Sequence, residues 1–183
     1  MSIKGEKTAM LKNILVSTDG SAHAKKAEAL AIDIASKYGA ALVILSVIEG
    51  GALSEDAKRL AQQKGIDISA VLAGIDITAA APEGAPIVLH AEYTLSTARV
   101  QAELAEIIIT EAKEHAASHG VERVRCLTEG GDPAGAILKV AENENTDLIV
   151  MGSRGLGALK SLLMGSVSQK VSHLAPCSCI TVK

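Results

Sequence analysis

The chain has 183 residues, a net charge of −3 and a pI near 6.0, with 48% hydrophobic and 21% charged side chains. That length suits a single domain spanning residues 1–183 and buries roughly two-thirds of the unfolded surface, so a core forms without disulfide or metal support. Two tyrosines and no Phe or Trp leave no aromatic platform for stacking bases, and the acidic balance offers no basic face, so nucleic acid is not expected as a partner.

Taken in chain order, Asn13 to Thr18 is a short apolar run closed by Asp19-Gly20-Ser21, which reads as a strand entering a turn. From Ala22 to Tyr38, apolar residues recur at Ala24, Ala27, Leu30, Ala31, Ile34, Ala35 and Tyr38, one face of a helix that Gly39 would cap. Ala40 to Ile48 is apolar almost throughout, as a strand covered on both faces requires. Ser54 to Gly65 has acids early and glycine late, the pattern of a short capped helix. Ile66 to Thr78 fits a short helix or a strand, and Ala79 to Pro86, with Pro82 and Pro86, reads as a loop. The stretch from Glu49 to Thr97 is longer than a usual connection and reads as an insert within the domain, part of it lying across or beside a ligand mouth or else forming a decorative or dimer-covering excursion.

Ser96 to Gly120 is again helical, with Val100, Leu104, Ile107, Ile108 and Ala112 on one side. Val121 to Leu127 reads as a more exposed strand. Asp132-Pro133 opens a helix running to about Asn143, with Asp at the cap and Pro in the first turn. Asp147 to Gly152 is a buried strand, Ser153 to Leu163 is loop-like, Gly165 to Leu174 is a helix, and Ser178 to Lys183 is the last strand. Alternating strands and helices of this kind predict an α/β fold, an open five-stranded parallel sheet with helices on both faces.

The charged start and the absence of an apolar run long enough to span a bilayer predict a cytoplasmic protein without a membrane partner. Cys126, Cys177 and Cys179 form no closed disulfide framework and no zinc-type pair, and read as small buried hydrophobes in a reducing compartment. No GxxxxGK[ST] and no HExxH occurs; His115 and His119 share a helix face without a third ligand, so no metal centre is expected.

In an open parallel sheet, ligands bind beyond the carboxyl ends of the strands, where strand order reverses. Two segments meet that criterion: Ser17-Thr18-Asp19-Gly20 after the first strand, and Gly152-Ser153-Arg154-Gly155-Leu156-Gly157 after the fourth. Glycines there admit a phosphate close to the backbone, and Gly165-Ser166 opens a helix whose free N–H groups favour an anion. Ser166 and Ser168 add hydroxyl donors, and an ionised Asp19 accepts from a sugar hydroxyl or an exocyclic amine. A side chain at position 165 would crowd a phosphate and restrict the turn. No carboxylate pair stands at the phosphate end, which favours binding over dedicated catalysis.

The pattern Gly152-x2-Gly155-x9-Gly165-Ser166 resembles the nucleotide motif of the ATP-binding branch of the universal stress protein family. The opening Ile14 to Ser21 and the closing Ala175-Pro176-Cys177 resemble that family too, and the likeness runs from about Leu11 to Lys183. The resemblance implies an adenine nucleotide alpha hydrolase-like fold with sheet order 3-2-1-4-5, and a homodimer. It implies ATP as ligand, with Mg²⁺ or Mn²⁺ accompanying the nucleotide. It puts Asp19 and the backbone near Val47 at adenine, with Thr18 beside them. It puts Met151, Gly152, Arg154 and Gly155 along ribose and phosphates, and Gly165, Ser166 and Val167 at the phosphate cradle. The function implied is a nucleotide-dependent regulatory switch or interaction module; a slow ATPase or nucleotidyl-type enzyme and a nucleotide-free module are the alternatives. The homodimer would pair through Cys179 to Val182, an apolar, β-branched stretch at a sheet edge.

Overall fold

The computed structural model describes residues 11–69, 71–72, 87–157 and 164–183, with backbone alone for 87–93. The expected loop from Ala79 to Pro86, most of the undecided stretch before it and the end of the loop reaching Leu163 lie outside the described residues.

Strand β1 (Asn13–Ser17) leads into helix α1 (Ala22–Tyr38) and strand β2 (Ala41–Ile48). Helix α2 (Glu55–Gln63) and helix α3 (Ile87–Ser118) precede strand β3 (Val124–Gly130). Helix α4 (Pro133–Asn143), strand β4 (Leu148–Gly152), helix α5 (Ser166–Leu174) and strand β5 (Ser178–Val182) complete the fold. The five strands are parallel and ordered β3-β2-β1-β4-β5.

Strand residues alternate between two cores, as a pleated backbone requires. Ile14, Val16, Leu42, Ile44, Leu148 and Val150 face α1 and α3, packing on Ala27, Ala31, Ile32, Ala35, Ile109, Ala112 and Ala116. Leu15, Val43, Leu45, Ile149 and Met151 face α4 and α5, packing on Ala134, Ile137, Val140, Ala141 and Val171. With no Phe or Trp to bury, alanine-rich helix faces let α1 and α4 sit close to the sheet, where aliphatic strand residues fill the gap. A third cluster joins α2 to the middle of α3: Leu53, Ala57, Ala61, Ile66, Ile68 and Val71 meet Val100, Leu104 and Ile108.

The caps follow the local sequence. Ser21 Oγ accepts the Ala24 N–H at 3.2 Å at the start of α1, and Gly39 ends it at φ +62°. Asp132 accepts the Gly135 N–H at 3.0 Å, and Pro133 occupies the first turn of α4. Ser54 caps α2 by accepting the Ala57 N–H at 3.1 Å.

Three expectations are corrected. Tyr38 is 56% exposed in the last turn of α1, beside the exposed cap Gly39, while Ile32 and Glu28 are buried instead. Helix α3 starts at Ile87 rather than Ser96, so its first turns belong to the segment read as insert. Strand β3 starts at Val124 rather than Val121, because Val121 closes the end of α3 with its N–H on the Ala116 carbonyl at 3.1 Å and its side chain in the core. The three cysteines are unpaired thiols in part-buried positions, and burial pushes each of them up from its ordinary pKa.

Glu28 carries the polar part of the interior. It is 2% exposed, accepts the Thr18 Oγ1–H, and pairs with Lys25 at 3.3 Å. Lys25 reaches Glu111 of α3 at 3.4 Å, and Glu111 also takes the ammonium of Lys64 at the end of α2. Lys64 beside it, with Lys25 assisting, holds the Glu111 carboxyl below its ordinary 4.5. A depressed carboxylate pKa contributes stability above the ordinary value and loses it as pH falls through the folded value. Glu111→Gln should therefore lower the melting temperature at pH 6, and the gap from wild type should close toward pH 3. Circular-dichroism melts across that range check it; a gap that stays constant with pH would contradict the account.

Candidate functional site

Sheet order reverses at β1, which has β2 on one side and β4 on the other. The chain leaves β1 for α1 on one face and leaves β4 for α5 on the opposite face, so Ser17 and Gly152 flank the topological switch point, the place in such sheets where a ligand mouth forms. Pairing of β1 with β2 ends at Ser17 opposite Leu45, with the Thr18 N–H still reaching the Leu45 carbonyl at 2.9 Å. Backbone groups alternate sides along a parallel strand. Gly131 donates to the Ile48 carbonyl from the β3 side, so the Val47 N–H and C=O face the side that β1 has vacated. The Val47 side chain packs on the α4 core.

Asp19 ties the two loops together. Its Oδ1 accepts the Ser21 N–H at 3.0 Å, and its Oδ2 accepts the Leu156 N–H at 2.7 Å. Each carboxylate oxygen keeps a second lone pair, so Asp19 can still accept from a ligand hydroxyl or amine. Thr18 is turned inward: its hydroxyl donates to Glu28 and accepts the Gly20 N–H at 3.2 Å. Its side chain shapes the turn from below.

Ser153 is the hub of the second loop. Its N–H donates to the Val182 carbonyl at 2.7 Å, which extends the β4–β5 ladder by one step. Its carbonyl accepts the Gly165 N–H at 2.7 Å and the Ser168 hydroxyl at 2.9 Å, which holds the start of α5 against β4. Its buried hydroxyl meets His23 Nδ1 at 2.9 Å. Met151 is in the core at 3% exposure, so only its backbone is available to the mouth. Arg154 is half-buried and its carbonyl accepts the Ser21 hydroxyl at 3.4 Å. Ser166 is exposed in the first turn of α5, Val167 packs on the core, and Ser168 turns inward.

The glycines differ in what they do. A Cβ on Gly152 would stand 2.9 Å from the Ala24 nitrogen and the His23 carbonyl carbon, so that glycine lets α1 approach β4. A Cβ on Gly155 would stand 2.5 Å from Asp19 Oδ2, so that glycine lets the carboxylate reach the loop. Gly165 has φ −78° and ψ +159°, ordinary for any residue, and among the described residues a Cβ there would meet nothing closer than the Ser153 carbonyl oxygen at 3.4 Å. The expectation that a side chain at 165 would restrict the turn is thereby corrected: the backbone there suits any residue, and no described neighbour excludes a Cβ.

Sequence reading passed over two residues that shape the mouth. Leu156 donates to Asp19, accepts the Ser54 hydroxyl on its carbonyl at 3.1 Å, and puts its side chain into the α2–α3 cluster. Ser54 reads as a helix cap, and nothing local signals a contact 102 positions away. The segment after β2 lies against the mouth through these contacts, and Leu60 and Ile108 close over Gly20. Among the described residues, no group of three or more His, Cys, Asp or Glu side chains could hold a metal. Asp19 is the carboxylate placed in the mouth among the described residues, and a lone carboxylate supplies too few ligands for a metal held by the protein itself. No described helix is long and apolar enough to cross a membrane.

An open parallel α/β domain with a glycine loop and a helix N-terminus meeting at the switch point places this chain among the doubly wound α/β proteins. The model of the universal stress protein family matches residues 10–183, and the chain belongs to that family. A universal stress protein of Thermus aquaticus, encoded 3′ of a QAH/OAS sulfhydrylase, is 36% identical over 174 residues, 95% of this chain and 100% of the relative. A solved universal stress protein in complex with cAMP is 21% identical with a TM-score of 0.58, over 95% of this chain and 98% of the other. One from Archaeoglobus fulgidus in complex with dAMP is 18% identical with a TM-score of 0.54, over 95% and 99% of the two chains. Both share the fold.

The two kinds of glycine separate in stability. Gly152→Ala, which forces a side chain against the α1 backbone, should cost about 2 kcal/mol. Gly165→Ala should stay within about 0.5 kcal/mol of wild type. Urea unfolding of the two variants checks this, and equal losses would remove the distinction.

Proposed function

We propose that the protein binds ATP at this mouth and works as a nucleotide-dependent switch or interaction module, acting in the cytoplasm. The observation that carries the reading is Gly165. Its backbone is ordinary for any residue and no described neighbour excludes a Cβ there, yet glycine opens α5, at a helix N-terminus whose first N–H groups lack intrahelical partners and suit a phosphate. Glycine at this position leaves room for an anion to approach the helix N-terminus closely. The Ser166 hydroxyl, exposed in the first turn, adds a donor for the same group. At the other end of the mouth, the Val47 backbone edge and the spare lone pairs of Asp19 offer what an adenine edge and a ribose hydroxyl require. The complexes of two family members with cAMP and with dAMP support an adenine nucleotide as the ligand class.

Binding is favoured over hydrolysis on the same geometry. A phosphoryl-transfer site needs a group to orient water and carboxylates to hold the metal. Asp19 is already tied to two backbone N–H groups at the nucleoside end. Any Mg²⁺ or Mn²⁺ would therefore arrive on the phosphate oxygens of the nucleotide.

Calorimetry with ATP tests the reading. Gly165→Val should weaken ATP at least tenfold, about 1.4 kcal/mol. Ser166→Ala should penalise ATP more than adenosine, since its contact is with phosphate. A well-folded wild-type protein with no affinity for ATP up to millimolar concentration would overturn the site.

Assembly as a homodimer through β5, Cys179 to Val182, belongs to the same proposal. β5 ends the sheet, with β4 on one side only. Val182 faces β4 through its carbonyl, so by alternation the Cys179 and Thr181 backbone groups face outward, ready to pair with a second copy. Removing the strand is a poor probe, because Ile180 and Val182 pack on the α1 core. Thr181→Pro instead removes one outward N–H and leaves the β4 ladder intact. Light scattering at micromolar concentration should find a dimer for wild type and a monomer for this variant; a monomeric wild type would defeat the assignment.

A further inference from the structure

We infer that Ser54, in the segment between β2 and α3, is a positioning residue for the glycine loop: it fixes Leu156, and through Leu156 the Asp19 carboxylate that faces the ligand. The inference rests on the nucleotide reading for its binding arm and on geometry alone for the rest.

The proton on Ser54 has one place to go. Its oxygen accepts the Ala57 N–H at 3.1 Å as the cap of α2, and its hydroxyl lies 3.1 Å from the Leu156 carbonyl, which can only accept. The hydroxyl therefore donates to the loop. On the other side of the same residue, the Leu156 N–H donates to Asp19 Oδ2 at 2.7 Å. Both backbone groups of Leu156 are thus held by side chains, one from each side of the mouth. The Leu156 side chain lies in the cluster with Leu53, Ala57 and Leu104, which fixes its depth. Ser21 does the matching task at the near end of the loop, capping α1 while its hydroxyl reaches the Arg154 carbonyl at 3.4 Å. Two helix-capping serines hold alternate carbonyls of one glycine loop. With Gly155 exposed between them, the loop has little of its own to stay in place.

Capping and positioning are separable at this residue. Asp caps a helix as well as Ser does, and when ionised it has no proton to donate. Thr supplies both functions. Ser54→Asp should therefore leave α2 capped and release Leu156, while Ser54→Thr should behave as wild type. The experiment is amide hydrogen exchange of the full chain without ligand, followed by ATP titration of the same three proteins. In Ser54→Asp, the Leu156 amide should exchange at least about fivefold faster, the equivalent of one neutral hydrogen bond. The Ala61 amide within α2 should be unchanged, and ATP should bind about fivefold more weakly. Ser54→Thr should restore both. Unchanged Leu156 exchange in Ser54→Asp overturns the inference whether or not ATP binds. Faster Leu156 exchange with undiminished ATP affinity overturns it as well, since the loop would then move without effect on the ligand. Faster exchange in a wild-type background that binds no ATP would retain the loop anchor and defeat the nucleotide reading alone.

Discussion

The hydrogen bond from the Leu156 N–H to Asp19 Oδ2, at 2.7 Å, joins the loop after β4 to the turn after β1. These two loops leave the sheet toward opposite faces, and nothing in the strand ladder holds them together beyond Ser17 and Gly152. A carboxylate accepting a backbone N–H is among the stronger neutral-to-charged contacts available. It also needs Gly155, since any Cβ there would occupy the approach to the same oxygen. Asp19 makes the shortest of the links across the mouth, beside the Ser21–Arg154 and His23–Ser153 contacts.

Behind Asp19 stands a second layer of fixation. Thr18 sends its hydroxyl inward to the buried Glu28 and accepts the Gly20 N–H, so the turn is held from the core side. Glu28 would be costly in that position alone, and Lys25 compensates it at 3.3 Å. Lys25 then shares Glu111 with Lys64, which brings the end of α2 into the same chain of charges. Exposed members of such a chain add little stability each. Their consequence is geometric: α2 is connected to the β1 turn at one end and to the glycine loop through Ser54 at the other.

Much of this architecture was legible in the sequence where a local rule decides the outcome. The bounds of α1 follow from Ser21 and Gly39, and those of α4 from Asp132-Pro133, because caps are set by neighbours in sequence. The unbroken apolar run of β2 gave the sheet its parallel character. Local rules failed where a distant contact sets the boundary. Val121 reads as strand but closes α3 through a backbone bond, and the start of α3 is hidden by the Pro-containing stretch before Ile87. Tyr38 lies on the apolar stripe by spacing, yet the last turn of α1 is exposed. In the site, Asp19 and the glycines were visible as residues, whereas their mutual contact was not. Leu156 looked like filler between two glycines, and Ser54 like an ordinary cap. Their roles arise from tertiary placement, which hydrophobic period and turn chemistry do not encode.

The glycine pattern illustrates how one sequence signature combines separate physical demands. Gly152 answers to the α1 backbone, and Gly155 answers to Asp19; both would be selected by a protein that bound nothing. Gly165 shows no such demand among the described residues. A chain with the first two glycines and a side chain at 165 would fold to the same sheet and the same mouth, with the α5 N-terminus obstructed. Position 165 is thus the place in the motif where the described fold makes no demand of its own, and an anion bound at the proposed site would make one. The converse holds for the segment after β2. It supplies no residue of the motif, yet through Ser54 and Leu156 it determines where the middle of the loop lies. Family members that differ in this segment would then share the glycines and differ in how firmly the loop is held, so the same signature can accompany different affinities.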